Sequence, residues 1–341
     1  MPSLNDLDHR FMAAAERLAR RGLGVVWPNP PVAALIVSTD DAGTPRLVGR
    51  GVTSKPGGPH AEVNALRMAG KAAEGATCYV TLEPCSHYGR TPPCSIALME
   101  AGVKRVVIGM LDPNPRVAGR GVKMLQDAGV EVVVGIHEEA CQSLYHGFTT
   151  RIVKQRPHVF LKLAVSRDGY IGRPGAGQVR ISGPLSMRMV HGFRATHDAI
   201  LVGIGTALAD DPMLTCRLPG MISRSPVRVV VDAAAKLPLT SNLVKTAAEV
   251  PVWIVCANNA DPDQLDALAK AGVLVIRVPS VNGRIDPETV AGALGSRGIT
   301  RLMLEGGARM ACAFLEADLV DDICVVTGGM EIGSGGVSAL H

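Results

Sequence analysis

Aromatic side chains are scarce: five Phe, four Tyr and two Trp among 341 residues. So few stacking surfaces argue against a protein that reads single-stranded nucleic acid through its bases. A surplus of one charge is also missing. Lys and Arg number 35 against 31 Asp and Glu, with no block of five or six like charges. No electrostatic footprint for a polyanion follows from that balance, and a small anionic substrate stays open. No apolar run approaches the roughly 18 residues that span a bilayer. The opening stretch MPSLNDLDHRFMAAAERLARRG carries acids and has no signal-sequence core, so a soluble, cytoplasmic protein is expected. A disulfide framework is absent as well: the eight cysteines, at 78, 85, 94, 141, 216, 256, 312 and 324, are spread along the chain. Reduced thiols, some of them metal-bound, are the expectation.

What is present is a turn-rich, well-packed composition, 47% hydrophobic with 38 Gly and 23 Pro, long enough for two domains. Residues 8–21 place Phe11, Met12, Ala15, Leu18 and Ala19 at helical spacing. Continuous apolar runs at 32–37, 78–82, 105–111 and 130–134 then alternate with helical patterns closed by Gly70, Gly102 and Gly129. Such runs predict strands covered on both faces, hence an α/β layer structure. A helical stretch at 138–150 leads into KQRPH, residues 154–158, read as a linker. Beyond it, strands are predicted at 159–165, 199–203, 227–231, 251–256, 273–278, 301–304 and 323–326, with helices near 184–195, 262–271, 287–297 and 308–317. The second half is a second α/β domain.

The most informative residues are His60-Ala61-Glu62 and, after a strand, Pro84-Cys85 with Cys94 nine residues on. They match the H-x-E…P-C-x-x-C pattern of zinc deaminases, with a longer inter-cysteine segment. One imidazole and two thiolates leave the fourth tetrahedral position of zinc for water, whose pKa the ion lowers. Glu62, two residues from a ligand, sits close enough to take and return a proton without binding metal, which is the requirement for hydrolytic deamination. Cys94 follows Pro92-Pro93, so it is expected in the first turn of a helix, where the dipole favours a thiolate. A purely structural zinc in a binding module would call for four protein ligands. In the second half no P-loop or Gly-x-Gly-x-x-Gly fingerprint occurs. Gly306-Gly307 falls between a strand and a helix, where either a tight turn or a phosphate-binding helix N-terminus accounts for it.

HAEVNAL, TLEPCSHYGRTPPC and DPNPRVAGRG in the first half, with LKLAVSRDG, the stretch from Phe193 to Arg217 and LEGG in the second, resemble the bifunctional riboflavin-biosynthesis deaminase/reductase family. The resemblance implies a cytidine-deaminase-like α/β/α layer domain over 1–153 and a dihydrofolate-reductase-like α/β domain over 154–341. It implies zinc-dependent deamination of 2,5-diamino-6-(5-phosphoribosylamino)pyrimidin-4-one, then NADPH-dependent reduction of the ribosyl to a ribityl chain, and a homo-oligomer formed through the reductase domain. Carried over by position, Asn29, His87 and Arg90 contact the deaminase substrate. Ala164, Thr206, Asp210 and Gly307 contact the dinucleotide, and Arg194, Leu214, Arg217 and Glu305 the reductase substrate. Lys162 and Asp168 fall near the reacting centre. The chain departs from the family pattern at Tyr170, where Lys or Arg is usual, and at Arg180, where an aromatic residue is usual. It also stops at His341, where an end without a closing strand is expected. The alternative is a nucleoside or nucleic-acid deaminase with an inactive second domain.

Overall fold

The computed structural model describes residues 4–88, 92–177 and 179–339. The chain divides into two compact units, Met1–Lys154 and Gln155–His341.

The first unit runs α1 (Leu4–Ala19), β1 (Ala33–Thr39), β2 (Pro45–Val52), α2 (Ala61–Ala69), β3 (Thr77–Val80), α3 (Cys94–Glu100), β4 (Arg105–Ile108), α4 (Arg120–Asp127), β5 (Glu131–Val134) and α5 (Glu138–Lys154). Its sheet has the order β2-β1-β3-β4-β5, with β1 antiparallel to β2 and β3, and β3, β4 and β5 parallel. Strand side chains alternate between faces. Leu35, Val37, Tyr79 and Val107 pack on Met12 and Ala15 of α1. Ile36, Cys78, Val80, Val106 and Ile108 pack with Ala61 and Ala65 of α2, Leu98 of α3 and Leu125 of α4. The result is the expected layered arrangement. Asp8 anchors α1 to the sheet: it accepts from Tyr79 Oη (3.0 Å) and takes both Nη atoms of Arg105 (2.7 Å each).

The second unit runs β6 (His158–Val165), β7 (Tyr170–Gly172), α6 (Pro184–Thr196), β8 (Ala199–Gly203), α7 (Ile204–Asp210), β9 (Val227–Val231), α8 (Asn242–Lys245), β10 (Val252–Ala257), α9 (Pro262–Lys270), β11 (Leu274–Val278), α10 (Pro287–Ser296), β12 (Arg301–Leu304), α11 (Ala308–Glu316), β13 (Asp322–Thr327) and β14 (Val337–Ser338). Seven strands form one sheet in the order β11-β10-β9-β8-β12-β6-β13, parallel throughout. The five inner strands β6, β8, β9, β10 and β12 are largely buried, which is why they read as continuous apolar runs, while the edge strands β11 and β13 keep exposed positions. β7 and β14 pair antiparallel beside it. The buried Asp198 carboxylate ties β8 to β12 by accepting from Thr300 N–H (2.8 Å), Thr300 Oγ1 (2.6 Å) and Arg301 N–H (2.9 Å).

The strand order places the second site. From β8 the chain steps outward through β9, β10 and β11, then returns to insert β12 between β8 and β6. Connections leave β8 and β12 in opposite directions, and in open parallel sheets a ligand crevice forms at the carboxyl ends of strands where that reversal occurs. The structure differs from the sequence reading in several places. β2, β7, α8 and β14 were not expected, and β14 pairs with β7 where an end without a closing strand was expected; α5 continues to Lys154, so only residues 155–157 connect it to β6; and α7 follows β8 without a loop.

Candidate functional site

In the first unit, His60 is the N-cap of α2, in extended conformation (φ −72°, ψ 169°), and Cys94 is the first residue of α3, after Pro93. Cys85 lies in the segment after β3. Two helix starts and one loop therefore converge. His60 Nδ1 is 3.6 Å from Cys85 Sγ and 3.4 Å from Cys94 Sγ, and all three ligand atoms lie within 4.8 Å of one another. Tetrahedral zinc with ordinary Zn–S and Zn–N bonds requires N···S separations of about 3.6 Å, so the donor set fits that ion. The imidazole nitrogen that faces both sulfurs is Nδ1, which the sequence does not specify. The Cys94 N–H donates to Cys85 Sγ (3.2 Å), and Ser95 Oγ donates to the Cys85 carbonyl (3.1 Å), fixing the turn between the thiols. Interaction with the Cys94 thiol, with His60 adding to it, holds the Cys85 thiol down at about 4 against the opposing effect of burial. Cys94, beside that sulfur and buried, is pushed up.

Glu62, in the first turn of α2, is 3% exposed. Burial pushes its carboxyl up to about 7, the range in which an acid/base group works in both directions near neutrality. It also interacts electrostatically with Cys85 and His60. Of the residues assigned to the substrate, His87 is exposed and lines a cavity of about 370 Å³ with Ser86, Val117, Arg120, Lys123 and Met124. Asn29 closes the turn ahead of β1, its N–H donating to Val26 O (3.1 Å). The next residue, Pro30, accepts from Thr53 Oγ1 (3.0 Å), which links this turn to the segment leading to His60. Arg90 lies outside the described residues.

In the second unit a cavity of about 530 Å³, a size suited to a small molecule, opens at the carboxyl ends of β6, β8 and β12. Ala164, Thr206, Asp210, Gly307, Arg194, Arg217 and Glu305 all line it, as do Lys162, Arg173 and Arg180. Leu214 does not: it is 4% exposed and packed in the hydrophobic core, with a left-handed φ of 52°. Asp168 is also outside the lining. Its carboxylate accepts from Ser166 Oγ (2.6 Å) and from the N–H groups of Ile332 (3.1 Å) and Gly333 (2.7 Å), which hold it well below the usual carboxylate range, at about 2.

Glu305 is the hub of the cavity, accepting from Lys162 Nζ at 3.1 Å and from Arg194 Nη2 at 2.9 Å. Burial opposes its charge, but Arg194 and Lys162 outweigh that, and the carboxyl lies below its ordinary value. Arg194 also donates to Thr215 O (3.1 Å), so its guanidinium is largely committed to protein. The Arg217 side chain makes no hydrogen bond to the described residues; burial, Arg194 and Arg180 all act on its charge. It is the more available of the two for a phosphate. Thr206 Oγ1 accepts the Gly307 N–H at 3.1 Å, joining α7 to the start of α11. Arg173, missed in the sequence, adds a cation to this cavity, and Arg180, noted there only as a departure from the family pattern, adds another; only their charge signals it. The start of α11 fits a phosphate of a dinucleotide, and Arg180 and Arg217 supply cations for a second anionic group in the same cavity.

Comparison with known proteins gives a family match for each half of the chain. Residues 5–110 match the cytidine and deoxycytidylate deaminase zinc-binding region, and residues 157–340 match the RibD C-terminal domain. The chain is similar to riboflavin biosynthesis protein RibD of Actinobacillus pleuropneumoniae, 41% identical over 94% of this chain and 83% of that protein. It is also similar to that of Escherichia coli K12, 38% identical over 96% and 89%. Among solved structures, Acinetobacter baumannii RibD superposes with a TM-score of 0.86 at 36% identity, covering 99% of this chain and 91% of that one. A Thermotoga maritima diaminohydroxyphosphoribosylaminopyrimidine deaminase/5-amino-6-(5-phosphoribosylamino)uracil reductase gives 0.83 at 34% identity, covering 99% and 90%.

Proposed function

Because the chain belongs to the RibD family of riboflavin-biosynthesis deaminase/reductases, we propose that its first unit houses the zinc deaminase and its second the NADPH-dependent reductase. The chain is a bifunctional enzyme of riboflavin biosynthesis that uses zinc and NADPH. Its first substrate is 2,5-diamino-6-(5-phosphoribosylamino)pyrimidin-4-one, and its second is the deaminated product. The observation that carries the deaminase assignment is the pair of N···S distances, 3.4 and 3.6 Å, set beside a buried carboxylate.

His60, Cys85 and Cys94 hold the metal, which when bound supplies a water of lowered pKa. Glu62 takes a proton and delivers it to the departing amino nitrogen, and its buried place beside the metal ligands suits both halves of that task. Asn29, His87 and Arg90 hold the substrate. In the second unit NADPH, when bound, supplies the hydride, with Ala164, Thr206, Asp210 and Gly307 against the dinucleotide. Arg217 fixes the phosphate end of the substrate, and positioning is the larger part of the residues' work. Lys162 and Arg194 contribute through Glu305. Leu214, buried in the core and outside the cavity lining, is not carried forward as a substrate contact. The near balance of charge supports a small-molecule enzyme without a nucleic-acid partner. No helix among the described residues is long and apolar enough to cross a membrane, and we place the enzyme in the cytoplasm as a homo-oligomer.

The test follows ammonia release and NADPH oxidation separately on the diaminopyrimidine substrate, with metal analysis. Wild-type protein is expected to hold one zinc per chain and give both signals, whereas Cys85→Ala, Cys94→Ala loses zinc and ammonia release. Zinc that persists unchanged in the double variant would defeat the ligand set.

A further inference from the structure

Glu83, two residues before Cys85, is 5% exposed, and its carboxylate is surrounded by backbone. Oε2 accepts from Asp112 N–H (3.1 Å) and Gly119 N–H (3.0 Å), and Oε1 accepts from Gly121 N–H (2.9 Å) and Val122 N–H (3.3 Å). The Glu83 N–H donates to Met110 O at 2.9 Å. One side chain thus satisfies donors at both ends of the segment between β4 and α4, including the orphan N–H groups that open α4. The approach is close: a Cβ on Gly121 would lie 2.1 Å from Pro84 O and 3.2 Å from Glu83 Oε1, so only glycine fits there.

This segment borders the deaminase centre. The Asp112 carboxylate interacts electrostatically with His87 and Cys85. Val117 and Arg120 form one wall of the cavity whose other wall is Ser86 and His87, the residues that follow Cys85. Glu83 is joined to Cys85 through Pro84 alone, so the metal turn and the far wall share one fixed point. We propose that Glu83 is a positioning residue of the deaminase, setting the 112–122 wall against the metal turn so that the cavity between them takes the part of the substrate projecting from the centre. The inference rests on the deaminase reading of the first unit. A carboxylate is needed because four N–H donors converge on it; an amide would turn its NH₂ against two of them.

The experiment is steady-state deamination of the diaminopyrimidine substrate by full-length zinc-loaded Glu83→Gln, with zinc analysis and amide hydrogen exchange. Expected are unchanged zinc, faster exchange at Gly119 and Gly121, and a KM raised about tenfold with kcat within about threefold, the pattern of lost binding rather than lost chemistry. Unchanged KM, lost zinc, or a fall in kcat alone would overturn the proposal. Should Glu83→Gln not fold, Glu83→Asp, one methylene shorter but still charged, is read the same way: a raised KM with zinc retained supports it and an unchanged KM overturns it. Wild-type protein that holds zinc yet releases no ammonia would instead remove the deaminase reading.

Discussion

His197 is fully enclosed at the end of α6, donating from Nδ1 to Phe193 O at 2.7 Å, with no hydrogen bond to Nε2 among the described residues. Burial, with Arg301 adding to it, pushes its pKa down to about 3. The folded chain therefore refuses a proton that the unfolded chain accepts below about 6.5. Stability that is complete above that value is lost as pH falls, by about 2 kcal/mol at pH 5 and more towards pH 3. His197→Gln keeps a donor for Phe193 O and cannot titrate, so the stability gap between wild type and variant should narrow by about 2 kcal/mol between pH 7 and pH 5, read from urea midpoints. A gap that does not change with pH contradicts this. Such a residue shows where sequence reading stops. His60, Glu62, Cys85 and Cys94 were legible because metal chemistry restricts both residue type and spacing. The turning of His60 Nδ1 towards the two sulfurs, the burial of Leu214 and the commitment of Arg194 to Glu305 and Thr215 depend on distant packing, which leaves no local mark.

At the scale of elements, the buried strands and the helical stretches near 262–271 and 287–297 were legible, and the structure adds their caps. Asp261 and Asp286 sit before Pro at the starts of α9 and α10 and cap them with bonds of 3.0 Å each. β2 was not legible, because PRLVGRGV mixes two glycines and two arginines into the strand. The glycines have a reason: a Cβ on Gly49 would lie 2.3 Å from Ala65 O, and one on Gly51 would lie 2.1 Å from Ala61 O. The helix that carries Glu62 packs directly on this bare backbone. Gly51→Ala should push α2 off β2, destabilise the first unit by about 1–3 kcal/mol, and reduce ammonia release while NADPH oxidation on the deaminated product is kept. Equal loss of both activities would show that the packing of β2 against α2 is not what the deaminase depends on.

At the scale of the molecule, two stretches of strand and helix alternation announced two units. The order of the strands within a sheet did not show in the sequence, since no local signal tells β12 to enter between β8 and β6. That insertion gathers Lys162, Thr206 and Glu305 around one cavity. The central claim is that one chain carries two chemically separate centres, with Glu62 serving only the first. It is tested most directly by full-length Glu62→Gln assayed on both substrates with zinc measured alongside. Expected are one zinc per chain, ammonia release from the diaminopyrimidine lowered roughly 10²–10⁴-fold, and NADPH oxidation on the deaminated product at the wild-type rate. Ammonia release within a few-fold of wild type, or loss of NADPH oxidation together with it, would contradict the account.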